Sequence, residues 1–144
     1  ICSAMMNEKI STIMTTEVIT VGPEDNLDHA KQLLEEHEVE HLPVVDDGKL
    51  VGILSYYDLW EVNKEFKEYS KVKVKEIMTR KVVHLEPNDK IGTATEVLLH
   101  NLFQAIPITD SDRNLVGIVT NLDILWYAYK KEYPKHYENF KYFK

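Results

Sequence analysis

The sequence predicts an α/β fold in which two β-α-β-β-α repeats pack about a pseudo-two-fold axis. The first observation is internal repetition at a spacing of 64 residues, since Ile13-Met14-Thr15 returns as Ile77-Met78-Thr79. The second is that Leu50-Val51-Gly52-Ile53 returns as Leu115-Val116-Gly117-Ile118, one residue later than that spacing requires. The third is a length of 144 residues with 44% hydrophobic residues, which suits one core shared by two small units.

The first repeat begins with a β-branched run at residues 18–21, which predicts a strand that Pro23 ends. Apolar residues then recur at helical spacing as far as Leu34, so a helix is predicted there, with Asp25 or Asn26 as its cap. The other predicted elements of this repeat are a strand at 42–45, a hairpin turn at 46–49, a strand at 50–54 and a helix from about 56 toward 66 that Ser55 caps.

The second repeat predicts the same order of elements. Its strands are expected at 82–85, 105–109 and 115–119, and its helices at about 90–101 and 121–130. We therefore divide the chain into residues 1–7 as a cloning remnant or native lead-in, 8–67 as the first repeat, 68–75 as a polar linker, 76–130 as the second repeat, and 131–144 as a C-terminal tail rich in aromatic residues and lysine.

Composition and charge argue against several classes of protein. A formal net charge of −7 disfavours nucleic acid and anionic membranes as partners. No segment approaches the roughly 20 apolar residues that a membrane-spanning helix needs. Cys2 is the single cysteine, which excludes an internal disulfide and fits the reducing cytoplasm, where we expect the protein to reside. The P-loop, dinucleotide-binding and nucleophile-elbow motifs are missing, so we expect no enzymatic activity.

One segment imitates a zinc site. His37-Glu38-Val39-Glu40-His41 spells H-E-x-x-H, which on a helix places two imidazoles on one face, with a glutamate as general base. Pro43 follows the second histidine closely, so the helix is expected to end near His37 and the pattern loses its helical geometry. A zinc hydrolase is therefore only a distant alternative, and no metal site is predicted.

Two equivalent segments place a hydroxyl residue where a strand meets a helix. They are Ser55 with Asp58 and Thr120 with Asp123. The backbone N–H groups at a helix start favour a phosphate, and the carboxylate can accept hydrogen bonds from both hydroxyls of a ribose. The same residues also fit a capping box, which needs no ligand. The spacing leaves both interpretations open, and one site can serve in both ways.

These motifs together resemble the cystathionine β-synthase (CBS) domain, twice in tandem over roughly residues 8 to 128. The resemblance is carried in each copy by the I-M-T motif and by a G-I-[LV]-[ST] strand end followed by Asp58 or Asp123. Between them lies Leu42-Pro43-Val44-Val45-Asp46 in the first copy, of which Pro107 and Asp110 return in the second. It implies a regulatory, non-catalytic pair with two clefts between the repeats. It also implies that AMP, ADP, ATP or S-adenosylmethionine binds there, that no cofactor is required, and that two chains form a dimer.

The resemblance assigns residues to each cleft. The cleft that we favour would comprise Thr120, Asn121, Asp123, Ile19, Thr20, Val39 and His41. The second would comprise Ser55, Asp58, Val83, His84, Phe103 and Ala105. His41 would be the basic group near the phosphates, whereas Ala105 replaces it in the second repeat, and Phe103 would either stack on a base or block the cleft. Because Glu40 beside His41 would repel phosphates, we expect AMP in preference to ATP.

The leading prediction is a nucleotide sensor, and its rival is a ligand-free module that dimerises or docks a partner. Trp60 and Trp126 lie two and three residues beyond Asp58 and Asp123 on the second helices, which favours a homodimer contact, with core packing as the alternative. The tail interleaves aromatic residues with lysines, which suits stacking on nucleic-acid bases. The acidic body instead favours docking of Tyr133, Tyr137, Phe140, Tyr142 and Phe143 on protein, either this chain, a dimer mate or an effector.

Overall fold

The computed structural model describes residues 6–62 and 65–136, and it contains two antiparallel hairpins flanked by helices. This is the α/β, two-repeat architecture that the sequence predicts. The first repeat contains α1 (Leu27–Glu36), β1 (His41–Asp46), β2 (Lys49–Ser55) and α2 (Tyr56–Glu61). The short helix α3 (Val74–Ile77) leads into α4 (Ile91–Asn101), β3 (Ala105–Thr109), β4 (Leu115–Thr120) and α5 (Asn121–Glu132). Short 3-10 helices lie at Ile10–Thr12 and Phe66–Lys71.

Helix α1 begins at the second of the two predicted caps. The Asn26 side chain accepts a hydrogen bond from the His29 N–H at 2.9 Å, as an N-cap does. Asp25 instead accepts from the Gly22 N–H at 2.7 Å and closes the preceding turn. The helix ends at Glu36 with His37 as its C-cap, as expected ahead of Pro43.

The first hairpin turns through Asp47 and Gly48, whose φ angles are both positive, at 50° and 80°. A two-residue turn of this kind follows the twist of the strands, and glycine adopts it without strain. The second hairpin is longer by one residue, which accounts for the slip in the repeat. The two turns also contact each other, because the Leu50 N–H donates to the Arg113 carbonyl and the Leu115 N–H donates to the Gly48 carbonyl, each at 3.1 Å.

The strands predicted at 18–21 and 82–85 are each reduced to a single bridge, which corrects the prediction. Val21 pairs in parallel with Val44, and Leu85 pairs in parallel with Ile108. Prolines explain why neither ladder extends. Pro43 and Pro107 have no N–H to donate to residues 19 and 83, and Pro23 and Pro87 have none to donate on the other side.

The helix predicted from 56 toward 66 is also wrong in its length, because α2 ends at Glu61. The chain then enters the 3-10 helix Phe66–Lys71, which buries Tyr69 against the first repeat. The Tyr69 hydroxyl donates to the Leu59 carbonyl at 2.7 Å and fixes this segment on α2. A tertiary contact thus outweighs the helical spacing on which the longer helix was based.

Each repeat is completed by the leading segment of the other repeat, which is residues 8–15 for the first repeat and residues 69–79, including the linker, for the second. The Val74 N–H donates to the Asp25 carbonyl at 2.8 Å, and the Ile10 N–H donates to the Asp89 carbonyl at 2.8 Å. Tyr69, Val72, Val74 and Met78 belong to the core of the first repeat, while Ile10 belongs to the core of the second. This exchange of leading segments explains why the two small units stay together, since each core is incomplete without the other unit's segment.

Two glycines permit these segments to cross the hairpins. A Cβ atom on Gly52 would lie 2.6 Å from Met78 Sδ and 3.0 Å from the Thr79 carbonyl. A Cβ on Gly117 would lie 2.8 Å from Met14 Sδ and 3.1 Å from the Thr15 carbonyl. The I-M-T motif is therefore the part of each leading segment that lies on the opposite hairpin. In the part of the chain that the structure describes, no helix has the length and apolar character needed to cross a membrane.

Candidate functional site

Two clefts open where the helices α2 and α5 begin. The Thr120 cleft has a volume of about 480 Å³ and is lined by Thr15, Glu17, Val18, Ile19, Glu38, Val39, Glu40, His41, Gln104, Ile118, Thr120, Asn121, Leu122 and Asp123. The Ser55 cleft has a volume of about 620 Å³ and is lined by Glu40, His41, Ile53, Ser55, Tyr56, Tyr57, Asp58, Trp60, Thr79, Leu102, Phe103, Gln104 and Ala105. Both volumes fall within the usual range for small-molecule sites.

A complete capping box stands at the start of each helix. Asp123 Oδ2 accepts from the Thr120 N–H at 2.9 Å and from the Thr120 hydroxyl at 3.1 Å, while Thr120 Oγ1 lies 3.3 Å from the Asp123 nitrogen. Asp58 Oδ2 accepts from the Ser55 N–H at 2.7 Å, and the Asp58 N–H donates to Ser55 Oγ at 3.2 Å. The capping interpretation of both motifs is thus confirmed. In each box one carboxylate oxygen, Oδ1, is not part of the box.

The structure brings together most of the residues that were assigned to the Thr120 cleft. Thr120, Asn121 and Asp123 come from the second repeat and face Ile19, Val39 and His41 from the first. Thr20 is exposed and is not part of this lining. A ligand in this cleft would therefore contact both repeats at once.

The residues assigned to the Ser55 cleft are divided among three places. Ser55, Asp58, Phe103 and Ala105 line the cleft itself. Val83 lines a neighbouring cavity of about 50 Å³ together with Phe103 and Ala105. His84 lies outside both cavities, where its Nδ1 is 2.8 Å from the Thr109 hydroxyl oxygen.

Some lining residues were missed by the sequence analysis. Glu38 and Leu102 have positive φ angles of 52° and 55°, at equivalent places just after α1 and α4. This backbone reversal directs Glu38 toward the Thr120 cleft and Leu102 toward the Ser55 cleft. Such a C-terminal reversal is usually signalled by glycine, which is absent from both positions, so the repeat register was the remaining clue.

His41 lies on both clefts, at the start of β1 and opposite Ser55 in the hairpin register. Its imidazole is half-buried, and this burial lowers the pKa of His41. The carboxylates of Glu40 and Asp58 oppose that effect because they favour the charged ring. The pKa of His41 therefore responds to any further anion placed in either cleft.

The zinc interpretation finds no support in the geometry. His37 follows the last residue of α1, Glu38 adopts a left-handed conformation, and His41 begins a strand. The pattern therefore lacks the single helical face that a zinc site of this type needs. Among residues 6–62 and 65–136, no group of three or more His, Cys, Asp or Glu side chains is arranged to hold a metal ion.

Apolar faces are exposed on the two helices that begin at the clefts. Trp60 on α2 and Leu125 on α5 are each 65% exposed, and Tyr57 and Leu122 are similarly exposed. Leu122, Leu125, Trp126 and Tyr129 together line a further cavity of about 310 Å³ on α5. Tyr137, Phe140, Tyr142 and Phe143 of the predicted docking tail lie outside the described residues, whereas Tyr133 is described and is partly exposed.

Comparison with known proteins assigns the family. A family model for the CBS domain matches residues 10–59 and 74–130. The uncharacterized protein MJ0188 of Methanocaldococcus jannaschii is 34% identical over 136 residues, which is 93% of this chain and 49% of that protein. The inosine-5′-monophosphate dehydrogenase of the same organism is 33% identical over 129 residues, 89% of this chain and 24% of that enzyme. The chain thus spans about half or less of these relatives.

Solved structures agree with this assignment. The CBS domain pair of protein MJ0100 in complex with 5′-methylthioadenosine and S-adenosyl-L-methionine has a TM-score of 0.77 and 29% identity, covering 86% of this chain and 98% of that one. CBSX2 from Arabidopsis thaliana in complex with AMP has a TM-score of 0.77 and 30% identity, with the same coverages. The chain therefore belongs to the CBS domain family and folds as a tandem CBS domain pair.

Proposed function

We propose that this CBS pair is a regulatory module, without catalytic activity, that binds an adenosine-containing ligand in the Thr120 cleft. The observation that carries the proposal is the position of Asp123, whose carboxylate lies at the start of the 12-residue helix α5 in a cleft of about 480 Å³. Ile19 and Val39 supply apolar walls from the other repeat. Apolar walls combined with placed polar anchors are typical of small-molecule sites.

Each part of an adenosine ligand has a partner in this cleft. Asp123 would accept hydrogen bonds from the ribose hydroxyls, through Oδ1 or in exchange for its capping bonds. Ile19 and Val39 would cover the adenine faces, and His41 would meet a phosphate. Two structural relatives contain AMP or S-adenosylmethionine with methylthioadenosine, which supports the ligand class.

The charge around the cleft favours a ligand with few phosphates. Glu17, Glu38 and Glu40 line the Thr120 cleft beside His41. Each added phosphate therefore meets carboxylates in a partly desolvated space. We propose AMP ahead of ADP and ATP, and also ahead of S-adenosylmethionine, because a phosphate gives the imidazole an acceptor. Metal-free ATP binding tenfold tighter than AMP would contradict this order.

Signalling would follow from the contacts with both repeats. A ligand that touches Ile19 and Asp123 together favours the arrangement of the repeats that binds it better, which is a population shift. We propose that the shift reaches a homodimer interface on the apolar faces of α2 and α5, or a separate effector protein. We also propose a cytoplasmic location, which the single cysteine fits. A monomeric mass by sedimentation at tens of micromolar would contradict the homodimer.

A second candidate function is a ligand-free interaction module. The exposed apolar faces with Trp60 on α2 and Leu125 on α5 favour it, because such surfaces commonly mark protein contacts. It needs neither cleft to be filled, and the capping boxes alone would explain Asp58 and Asp123.

Thermal unfolding with adenosine ligands separates the two functions. AMP at about 100 times its dissociation constant would add roughly 2.7 kcal/mol of stability. Asp58→Ala and Asp123→Ala form a matched pair, because each removes one capping box while only Asp123 belongs to the proposed site. We expect both variants to unfold at lower temperature, and the AMP-induced shift to fall further in Asp123→Ala than in Asp58→Ala. No shift with AMP, ADP, ATP or S-adenosylmethionine in the unmodified protein would favour the ligand-free module.

A further inference from the structure

The two clefts are separated by one common wall, which consists of Glu40, His41 and Gln104. All three residues line both clefts. The backbone fixes the wall in place, because the Tyr56 N–H donates to the Glu40 carbonyl at 2.9 Å and the Asn121 N–H donates to the Gln104 carbonyl at 3.0 Å. Each helix that begins at a cleft is thus bonded through its first N–H group to this wall.

The wall departs from the symmetry of the two repeats. At the repeat spacing, Glu40 corresponds to Gln104 and His41 corresponds to Ala105. A symmetric pair would place one imidazole beside each cleft, whereas here a single imidazole stands between them. Among the described residues, His41 is the one basic side chain that lines either cleft. The acidic side chains of these linings are Glu17, Glu38, Glu40, Asp58 and Asp123.

We infer, on the basis of the proposed function, that the two clefts share His41 as their phosphate-binding group, so that one nucleoside monophosphate bound in the Thr120 cleft opposes a second in the Ser55 cleft. The second phosphate meets Glu40 and the first phosphate, and the imidazole is already engaged. A neutral nucleoside has no such conflict. The Ser55 cleft is open at about 620 Å³, so space does not prevent double occupancy.

The use of His41 as the phosphate-binding group also makes binding depend on pH. The titratable residues that line the clefts together with His41 are Glu40, which directly precedes β1, the α2 residues Tyr56, Tyr57 and Asp58, and Glu17, Glu38 and Asp123 of the Thr120 cleft. A phosphate beside the ring raises the imidazole pKa relative to the ligand-free protein. Binding of AMP therefore takes up a proton and weakens as the pH rises through the His41 range, whereas adenosine binding does not.

Titration calorimetry with adenosine and with AMP tests the inference in the complete chain. We expect adenosine to fill two sites of similar affinity. We expect AMP to fill one site, with the second weaker by about tenfold, within the usual range of coupling between sites. His41→Gln should lower AMP affinity about tenfold and adenosine affinity far less, and the remaining pH dependence of AMP binding should be that of the phosphate itself. His100→Gln, an exposed substitution on α4 away from both clefts, serves as the control.

Two further variants reverse the asymmetry. Glu40→Gln, at an exposed position, gives the first repeat the same residue that the second has at Gln104. Ala105→His, at a buried position, supplies the imidazole that the second repeat lacks. Either should strengthen the second AMP site, and Glu40→Gln keeps the test valid where Ala105→His fails to fold. Equal AMP sites in the unmodified protein, a single adenosine site, or adenosine binding without AMP binding would overturn the inference and leave the proposed function standing. Binding of neither compound would overturn both.

Discussion

The Thr120 cleft and the Ser55 cleft begin from the same local motif and share one wall, but their other walls differ. Both have a capping box with an aspartate, but the helix that follows has 12 residues in α5 and 6 in α2. Ile19 and Val39 line the first cleft, whereas Leu102, Phe103 and Trp60 line the second. The comparison shows that the box is a property of the repeat itself. The walls contributed by other segments decide what each cleft can hold.

The largest expected effect comes from the two glycines that let the leading segments cross the hairpins. Gly52→Ala should cost about 1–3 kcal/mol of unfolding free energy, because the new methyl group meets a backbone carbonyl as well as a methionine. Gly117→Ala should cost less, since its contacts are longer by 0.1 Å and 0.2 Å (3.1 against 3.0 Å and 2.8 against 2.6 Å). Urea denaturation measures both free energies.

The same pair of variants distinguishes the clefts. Thr79 lines the Ser55 cleft and Thr15 lines the Thr120 cleft, and each provides the carbonyl that its glycine meets. Gly52→Ala should therefore disturb adenosine binding in the Ser55 cleft, and Gly117→Ala should disturb it in the Thr120 cleft. Equal losses of both sites in either variant would show that the two clefts respond as one unit.

The next effect concerns the matched positions Val39 and Phe103. Phe103 is 42% exposed and leaves the Ser55 cleft open, so we expect it to stack on a base and not to block the cleft. Phe103→Val should weaken adenosine in the Ser55 cleft two- to tenfold, which corresponds to about 0.5–1.5 kcal/mol for an aromatic pair. Calorimetric titration gives the affinities. Leu99→Ala, at an exposed position outside both linings, is the control, and tighter binding in Phe103→Val would mean that the ring obstructs the cleft.

The architecture could be predicted from the sequence because both repeats carry the residues that cap helices and form hairpin turns at equivalent positions. Asn26, Ser55 and Thr120 cap helices at the predicted places, and the strands of the two hairpins lie where they were predicted. The sequence was not sufficient for the strands at 18–21 and 82–85. There the missing N–H groups belong to prolines that follow each segment and to prolines on its pairing partner, so the effect depends on which strands pair.

The candidate site shows the same limit. Asp123 and Thr120 are local features of one segment, and their geometry could be predicted from their spacing. The position of His41 on both clefts could not be predicted in this way, because it depends on where β1 lies relative to both helices. Glu38 and Leu102 line the clefts because each adopts a left-handed backbone conformation. Neither residue is a glycine, so the composition of those turns did not predict the reversal.

The smallest expected effect compares the contacts that hold the leading segments on the two repeats. In the first repeat, Lys73 and Lys75 each lie 2.6 Å from Glu24 and lower the pKa of Glu24 to about 2. In the second, Glu8 pairs with Lys131 and accepts a hydrogen bond from the Tyr127 hydroxyl at 3.0 Å. Burial, and then this hydrogen bond, raise the pKa of Tyr127 to about 12. The first contact is therefore sensitive to acid, and the second also to alkali.

Glu24→Gln should consequently alter stability only above the acid range. A carboxylate with a depressed pKa stabilises the folded state above its unfolded pKa, near 4.5, and that contribution disappears as the pH falls toward 2. The unfolding free energies of the unmodified protein and of Glu24→Gln should thus differ slightly above pH 5 and converge near pH 2. Glu35→Gln is the control, since it removes an exposed ion pair with Lys31 inside α1 that joins no separate segments. Because Glu24 is exposed, salt should shrink the difference. A difference that persists at pH 2 would show that Glu24 acts through packing and not through its charge.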